Sequence, residues 1–177
     1  FRGYDSGEIR VDGKIGIQLQ SASLPAYIKE GEAVSLFAKW NHAKPEPARL
    51  SAPGILELEK KRYMELSTGQ KRRLHLALAL TGDPDILFLD EPTAGLDVEG
   101  RVSLHKEIFR LKEQGRTIVM ASHDMTEVEN LCSRIAILNG GKIVFCGTTE
   151  KLAKKVGSHQ DLRDQTTQGE EANWLGA

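Results

Sequence analysis

Hydrophobic residues follow two clear periods in the second half of the chain. Three short apolar runs have the length and composition of buried strands, at residues 86–89, 117–121 and 135–138. Two segments between them carry apolar residues at helical spacing, Val98–Gln114 and Asp124–Cys132. In the longer segment, Leu104, Ile108 and Leu111 share one face, and Gly115 ends the helix. This order of strand, helix, strand, helix, strand, with runs apolar on both faces, predicts a parallel sheet covered by helices.

Turn residues mark further elements on both sides of this region. The sequence NGGK predicts a hairpin whose second strand is Ile143–Cys146. Near the start of the chain, Glu8–Gln20 predicts two short strands joined by an Asp12-Gly13 turn. Helices are predicted within residues 32–40 and from Ser67 to Gly82.

Regular patterning stops near residue 156. Residues 157–177 are polar and aperiodic, which predicts a tail without a packed core. We therefore expect one partial domain over residues 1–156, with a helical part over about 21–80 and a strand-rich core over about 81–150.

Composition is typical of a globular protein and narrows the classes of partner. The 177 residues, 40% of them apolar and 28% charged, suffice for one domain with a hydrophobic core. The 24 basic and 25 acidic residues give a net charge of −1, so charge gives no support for nucleic acid or an anionic membrane as a partner. No run approaches the ~20 apolar residues of a membrane span, so we expect any link to a membrane to come through a partner protein. Cys132 and Cys146 lie in apolar patterns, and we expect both to be reduced core residues of a cytosolic protein.

Ionisable side chains follow two neighbouring strands of the predicted sheet. Asp90 and Glu91 come directly after the first buried strand, and Ser122 and His123 follow the second. Parallel strands end at the same edge, where ligands of such sheets bind, so we expect these side chains to converge. Two adjacent carboxylates repel unless a cation compensates, and oxygen ligands suit Mg²⁺. The pattern predicts metal-assisted hydrolysis or group transfer, with Asp90 on the metal, Glu91 as the residue that activates water, and His123 as a stabiliser of developing charge.

A purely structural interpretation of these residues stays open. Asp90 and Glu91 would in that case only cap the junction between a strand and the turn at Pro92. A histidine such as His123 at a helix entrance usually makes only a backbone hydrogen bond. Asp97, one residue before the helix that starts at Val98, is similarly a competent N-cap.

The segment Leu66–Arg73 carries a second signal at the start of a helix. Ser67 followed three residues later by Gln70 fits a capping box, which is a structural role. The capping box does not explain the three cations at positions 71–73, because cations at a helix N-terminus oppose the helix dipole at a cost of a few tenths to ~1 kcal/mol each. A hydroxyl residue, a glycine and extra positive charge at a helix start are what an anion site requires. We therefore expect phosphate to bind here, with the capping role as the alternative.

Taken in order, these segments resemble the nucleotide-binding domain of ATP-binding cassette (ABC) transporters, over roughly residues 7–150. The matching motifs are Leu66–Gln70 for the signature, Ile86–Glu91 for the Walker B strand and its glutamate, Ala94–Asp97 for the D-loop, Ser122–Asp124 for the switch histidine, and Gln20 (or Gln18) for the Q-loop glutamine. The resemblance implies an α/β fold, namely a P-loop NTPase-like parallel sheet core covered by helices, with a helical signature subdomain.

The resemblance also implies roles within one subunit, with ATP and Mg²⁺ as substrate and cofactor. Asp90 would hold Mg²⁺ with help from Gln20. Glu91 would polarise the attacking water, and His123 would contact the γ-phosphate.

Other matched residues are implied to act between subunits. Ser67, Gly69 and Gln70 would close over ATP bound to the opposite ATPase subunit of a head-to-tail dimer, and Asp97 would join the two sites. The amino-acid sequence around Walker B and the Q-loop is similar to that of ATPase subunits of bacterial exporters. These subunits work with a separate transmembrane permease subunit. The resemblance therefore implies a cytoplasmic protein, peripheral at the inner face of the cell membrane, with no role for nucleic acid.

The chain departs from the family pattern at two points. Thr68 stands where the signature usually has its first glycine, so the backbone there approaches a phosphate less easily. The phosphate loop G-x-x-x-x-G-K-[ST] (Walker A) does not occur in the sequence. In the family that loop precedes the Asp12-Gly13 turn, so we expect an N-terminally truncated cassette that is inactive alone, with a naturally degenerate cassette as the alternative.

A second class of function stays open. Cassettes of the translation or DNA-repair type, or purely regulatory cassettes, share these motifs. They usually carry either a second cassette after a charged linker or a long coiled-coil insertion, and neither feature is visible in this sequence.

Overall fold

The computed structural model describes residues 6–43, 61–152 and 154. The elements, in chain order, are β1 Ile15–Gln18, α1 Glu30–Trp40, a 3-10 turn Tyr63–Glu65, α2 Thr68–Leu80, β2 Ile86–Asp90, α3 Val98–Glu113, β3 Thr117–Ala121, α4 Met125–Leu131, β4 Ile135–Asn139 and β5 Lys142–Gly147. They fall into two compact units, one up to His123 and one from Asp124 onward.

A three-stranded parallel sheet forms the core of the first unit, in the order β1-β2-β3. The central strand β2 is flanked in register, so that Leu89 lies beside Gln18 on one side and Met120 on the other. Alternate β2 residues, Leu87 and Leu89, are almost fully buried, as a strand with one covered face requires. The prediction of an α/β fold with a parallel sheet is confirmed.

Helix α2 packs closely against β1. A Cβ atom at Gly16 would overlap the carbonyl oxygen of Ala79 and lie 2.9 Å from Pro84 Cγ, so only glycine allows this approach. Helix α2 also contacts α1, and residues of the two helices and of the segment before α2 form a hydrophobic cluster: Ala33, Val34, Tyr63, Leu66, Leu74 and Leu78. This packing places the start of α2 next to the loop that follows β1.

The predicted hairpin over Glu8–Gln20 is wrong. Only Ile15–Gln18 forms a strand, and it pairs with β2 instead of with the segment before it. The backbone of Lys14, just before β1, is bonded to the residues at the start of β2. Its N–H donates to Oδ2 of Asp85, the residue before β2, at 2.8 Å. Its carbonyl accepts from the Ile86 N–H at 3.1 Å. A long-range parallel partner therefore replaces the local antiparallel one that the turn residues suggested.

The second unit contains α4 and an antiparallel pair, β4 and β5. The expectation that β4 continues the parallel sheet is not met within the described residues, since β4 pairs with β5 in a two-stranded sheet. Among the described residues neither Cys132 nor Cys146 forms a disulfide, but Cys146 is exposed and Cys132 half-buried, so their assignment to the core was wrong.

The structure leaves two of the sequence predictions untested. The polar tail 157–177 lies outside them, and the subdomain limits of about 21–80 and 81–150 stay predictions. In the part of the chain that the structure describes, no helix has the length and apolar character needed to cross a membrane.

Candidate functional site

The carboxyl ends of β2 and β3 lie side by side. Asp90, the last residue of β2, pairs with Ala121, the last residue of β3. The pairing continues one residue further, because the Glu91 N–H donates to the Ala121 carbonyl oxygen at 2.9 Å. Glu91 then turns with a φ of +45°, a left-handed conformation that costs a residue with a side chain about 1–2 kcal/mol. This turn brings the Glu91 side chain to the residues that follow β3.

The Glu91 carboxylate contacts His123 at two points. Its Oε1 accepts a hydrogen bond from the His123 backbone N–H at 3.0 Å and lies 2.7 Å from the ring Nδ1. The Glu91 side chain is 17% exposed and that of His123 is 85% exposed. The carboxylate is thus held in a shielded position by an amide that donates at any pH, while most of the ring surface remains open to solvent.

Asp90 and Gln20 are the residues predicted to bind Mg²⁺. Asp90 is half-buried at the end of the central strand, and Gln20 follows β1, whose last residue Gln18 pairs with Leu89. A carboxylate and an amide oxygen suit Mg²⁺, which usually takes one or two protein carboxylates and leaves other positions to phosphates and water. Among the described residues, no group of three or more His, Cys, Asp or Glu side chains could hold a metal by itself.

The two candidate glutamines lie in different environments. Gln18 is 3% exposed, and its Nε2 has no hydrogen-bond partner among the described residues. Gln20 is exposed, and its backbone carbonyl accepts a hydrogen bond from Arg72 Nη1 at 3.0 Å. Because the Gln20 amide reaches solvent, it can meet a ligand without a change in the sheet, which favours Gln20 over Gln18.

The start of α2 carries the predicted capping box. Ser67 Oγ accepts from the Gln70 N–H at 3.3 Å, and Gln70 Oε1 accepts from the Ser67 N–H at 3.0 Å. These two hydrogen bonds satisfy backbone donors that a helix start otherwise leaves open. They confirm the structural role of Ser67 and Gln70, and they rigidify the helix start in a segment where a ligand role is also predicted.

The loop before α3 lies against this helix start. Gly95 has a φ of +76°, which favours glycine, and a Cβ there would lie 3.5 Å from Thr68 Cγ2. A Cβ at Gly69 would lie 3.7 Å from Leu96 Cδ2. Asp97 caps α3, because its Oδ1 accepts from the amide three residues later at 2.8 Å. The residues predicted to act between subunits thus lie on two adjacent segments of one surface.

Arg72 and Lys71, two cations near the start of α2, make contacts within the fold. Arg72 donates to the Gln20 carbonyl, and Lys71 Nζ lies 5.1 Å from the centroid of the Tyr63 ring. A backbone acceptor and an aromatic face therefore account for these two charges. The sequence argument that assigned them to a bound phosphate is not needed to explain their presence.

A buried pair, Tyr63 and His75, lies beneath these cations. Their rings stack with centroids 5.7 Å apart, and the Tyr63 hydroxyl lies 3.1 Å from His75 Nε2. Burial lowers the pKa of His75, and the nearby charges of Arg72 and Lys71 lower it further. Burial likewise raises the pKa of Tyr63. No local sequence pattern indicates this pair, because Tyr63 and His75 are twelve positions apart and no periodicity connects them.

Comparison with known proteins gives an independent assignment. Residues 5–94 match the sequence model of a family described as ABC transporter. The chain is 33% identical over 172 residues to the linearmycin resistance ATP-binding protein LnrL of Bacillus subtilis, covering 87% of this chain and 55% of that protein. It is 34% identical over 172 residues to the Nod factor export ATP-binding protein I of Paraburkholderia xenovorans, covering 86% and 57%. The chain therefore spans a little over half the length of these relatives.

A third relative is again named an ATP-binding protein, and a solved structure shares the fold. The daunorubicin resistance ATP-binding protein DrrA3 of Streptomyces coeruleorubidus is 30% identical over 171 residues, covering 86% of this chain and 54% of that protein. A chain from an inward-facing structure of a metal-chelate type ABC transporter superposes with a TM-score of 0.73 at 24% identity. That match covers 83% of this chain and 62% of the other, and at this identity it supports the fold.

Proposed function

Because the chain belongs to the ABC transporter family, as part of an ATP-binding domain, we propose that it forms the signature, Walker B and switch portion of an ATP-hydrolysing export subunit. The observation that carries this proposal is the contact between the Glu91 carboxylate and both the backbone and the ring of His123. Two groups able to move protons and stabilise charge meet at the carboxyl ends of parallel strands, where ligands of such sheets bind.

In this proposal each group at the strand ends has one task. Glu91 orients the attacking water and accepts its proton, since its carboxylate is shielded and held by the His123 amide. His123 uses its exposed ring to stabilise charge on the γ-phosphate. Asp90 and Gln20 would hold Mg²⁺. Bound Mg²⁺ would neutralise phosphate charge and fix the geometry of the triphosphate.

The segments around α2 and α3 act on the other ATP of a head-to-tail pair of subunits. Ser67, Gly69 and Gln70 lie at the N-terminal end of helix α2, where the helix dipole favours an anion. Asp97 lies on the adjoining loop and joins the two sites. Thr68 replaces a glycine and limits backbone approach, so we expect the signature of this chain to bind ATP more weakly than one with two glycines.

Export is proposed from the relatives. LnrL and DrrA3 are named for resistance to linearmycin and daunorubicin, and the Paraburkholderia protein for Nod factor export. By analogy we propose that this subunit works at the inner face of a membrane with a separate transmembrane permease. A pull-down of the complete protein from detergent-solubilised membranes tests this: a polytopic membrane protein supports export, whereas ribosomes or DNA in its place support a translation or repair cassette.

We propose further that this chain alone does not hydrolyse ATP. Its sequence contains no G-x-x-x-x-G-K-[ST], the loop that supplies most backbone donors to the phosphates and one Mg²⁺ ligand. ATP turnover by the isolated 177-residue chain would refute this part of the proposal.

The test of the central proposal is Glu91→Gln in a complete cassette that contains this chain. The amide keeps the shape of the side chain but cannot accept a proton, so kcat should fall by about 10²–10⁴-fold while ATP affinity changes little. Glu99→Gln, an exposed change in the first turn of α3, is the matched control and should retain activity. Hydrolysis that survives Glu91→Gln would show that another group activates the water.

A further inference from the structure

Helix α2 runs antiparallel to β1 and contacts it at two places. Near the end of the helix, Ala79 presses against Gly16 at the start of the strand. Near its beginning, Arg72 Nη1 donates to the Gln20 carbonyl just past the end of the strand. From Arg72 to Ala79 the helix rises about 10.5 Å, and from Gly16 to Gln20 the extended chain rises about 13 Å. The Arg72 side chain is long enough to bridge the difference between these two lengths, so both contacts can form at the same time. Together they fix the position of α2 along β1.

The hydrogen bond from Arg72 uses the main chain of Gln20. The side-chain amide of Gln20 is therefore left to bind a ligand, while the backbone that carries it is tied to the helix. The guanidinium group stays charged at any physiological pH and presents donors in a fixed plane, so it can hold a carbonyl oxygen in one orientation. A movement of α2 along its axis would change the position of Gln20 through this contact.

Arg72 also lies on the same rigid element as Ser67. The capping box closes the first turn of α2, and the helix continues without interruption from Thr68 to Leu80. Ser67 and Arg72 are five positions apart, which corresponds to about 7.5 Å along the helix axis. A displacement at the helix start is thus transmitted to Arg72 with little loss.

We propose that Arg72 is a positioning residue that couples the two ATP sites of the dimer, by carrying the movement of Ser67 on one ATP to Gln20 at the other. This inference rests on the proposed function, which places Ser67 and Gln20 at different ATP molecules. It assigns Arg72 a role distinct from phosphate binding, because its guanidinium donates to a backbone carbonyl of its own chain.

Two variants at this position separate the contact from the bulk of the side chain. Arg72→Met keeps an unbranched stem but removes every donor, whereas Arg72→Lys keeps a cation that can still donate to the carbonyl. Lys106→Gln, an exposed change on α3, is the control for loss of one positive charge. All are made in a complete cassette that contains this chain.

Two measurements test the proposal. Hydrogen exchange should become faster at the backbone amides of residues 19–22 in Arg72→Met, and should not change in Lys106→Gln. In steady-state ATP hydrolysis, Arg72→Met should lower the Hill coefficient for ATP toward 1 and raise the Mg²⁺ concentration for half-maximal rate by roughly five- to tenfold, the scale of a typical coupling between sites. Arg72→Lys should restore most of both properties.

The outcomes separate the inference from the proposed function. Unchanged exchange in Arg72→Met would show that Arg72 does not hold the Gln20 loop. Faster exchange with an unchanged Hill coefficient and Mg²⁺ requirement would show a structural contact without coupling, and would overturn the inference. Absence of ATP hydrolysis in the unsubstituted cassette would instead refute the proposed function, and the coupling role would fall with it.

Discussion

His123 donates its backbone N–H to the same Glu91 oxygen, Oε1, that lies 2.7 Å from its own ring Nδ1. The backbone hydrogen bond depends only on the path of the chain after β3, and the ring contact depends on the identity of the residue. Glu91 therefore keeps one partner in any variant at position 123 except proline, which has no N–H. Mutations there can separate the placement of Glu91 from the chemistry of the imidazole.

His123→Ala and His123→Asn are expected to differ in informative ways. In a complete cassette, His123→Ala should lower kcat by about 10²-fold or more with little change in ATP affinity, because it removes the group proposed to stabilise γ-phosphate charge. Asparagine places an amide nitrogen near the position of Nδ1 and keeps a donor to Glu91. If His123→Asn hydrolyses ATP at the normal rate, the ring serves only to hold Glu91, and its proposed contact with phosphate is wrong.

Asp97 combines a capping role with a proposed role between subunits. Asp97→Ala removes the acceptor for the first turn of α3 and should lower the free energy of unfolding by about 1 kcal/mol. Asp97→Asn keeps a good N-cap and should leave stability nearly unchanged, as urea denaturation would show. If the carboxylate joins the two ATP sites, Asp97→Asn should still lower the ATPase rate. Equal ATPase rates for Asp97→Asn and the unsubstituted protein would limit Asp97 to capping.

His75 should make stability depend on pH. Burial, followed by the charges of Arg72 and Lys71, lowers the pKa of His75 in the folded protein, so the unfolded chain binds the proton more readily. This contribution to stability is complete above the ordinary histidine pKa of about 6.5 and is lost as pH falls through that value toward the lowered folded pKa. His75→Gln should make urea unfolding less sensitive to pH between about 7.5 and about 5.5.

The control for this pH effect is His42→Asn. His42 is exposed and has a φ of +52°, which asparagine tolerates, so this variant removes a histidine without adding backbone strain. An identical pH dependence in His75→Gln and in the unsubstituted protein would show that carboxylates alone cause the loss of stability in acid.

Gly16→Ala tests the close packing of α2 on β1. The added Cβ would overlap the Ala79 carbonyl, so we expect a loss of about 1–3 kcal/mol or more in the free energy of unfolding. Gly115→Ala provides a comparison, since a Cβ there meets nothing within 4 Å but the φ is +82°. That change should cost only the conformational term of about 1–2 kcal/mol. A cost at Gly16 clearly below that at Gly115 would show that the helix can move away from the strand.

The sequence by itself determined the features that depend on neighbours along the chain. The boundaries of β2, β3 and α3 follow from the period of apolar residues, and the caps at Ser67 and Asp97 follow from short polar side chains that reach amides three residues later. The convergence of Glu91 and His123 was also predictable, because two consecutive parallel strands end at the same edge of a sheet.

Tertiary structure decided the features that join distant segments. β1 pairs with β2, whose partner residues lie 71 positions later in the sequence, and not with the segment that precedes β1. Arg72 contacts Gln20 across 52 residues, and the environment of His75 depends on Tyr63. A local pattern records only which face of an element is apolar and how the element begins and ends. Which partner satisfies a given donor or covers a given face depends on the free energy of the whole packed arrangement, and a single sequence does not display that quantity.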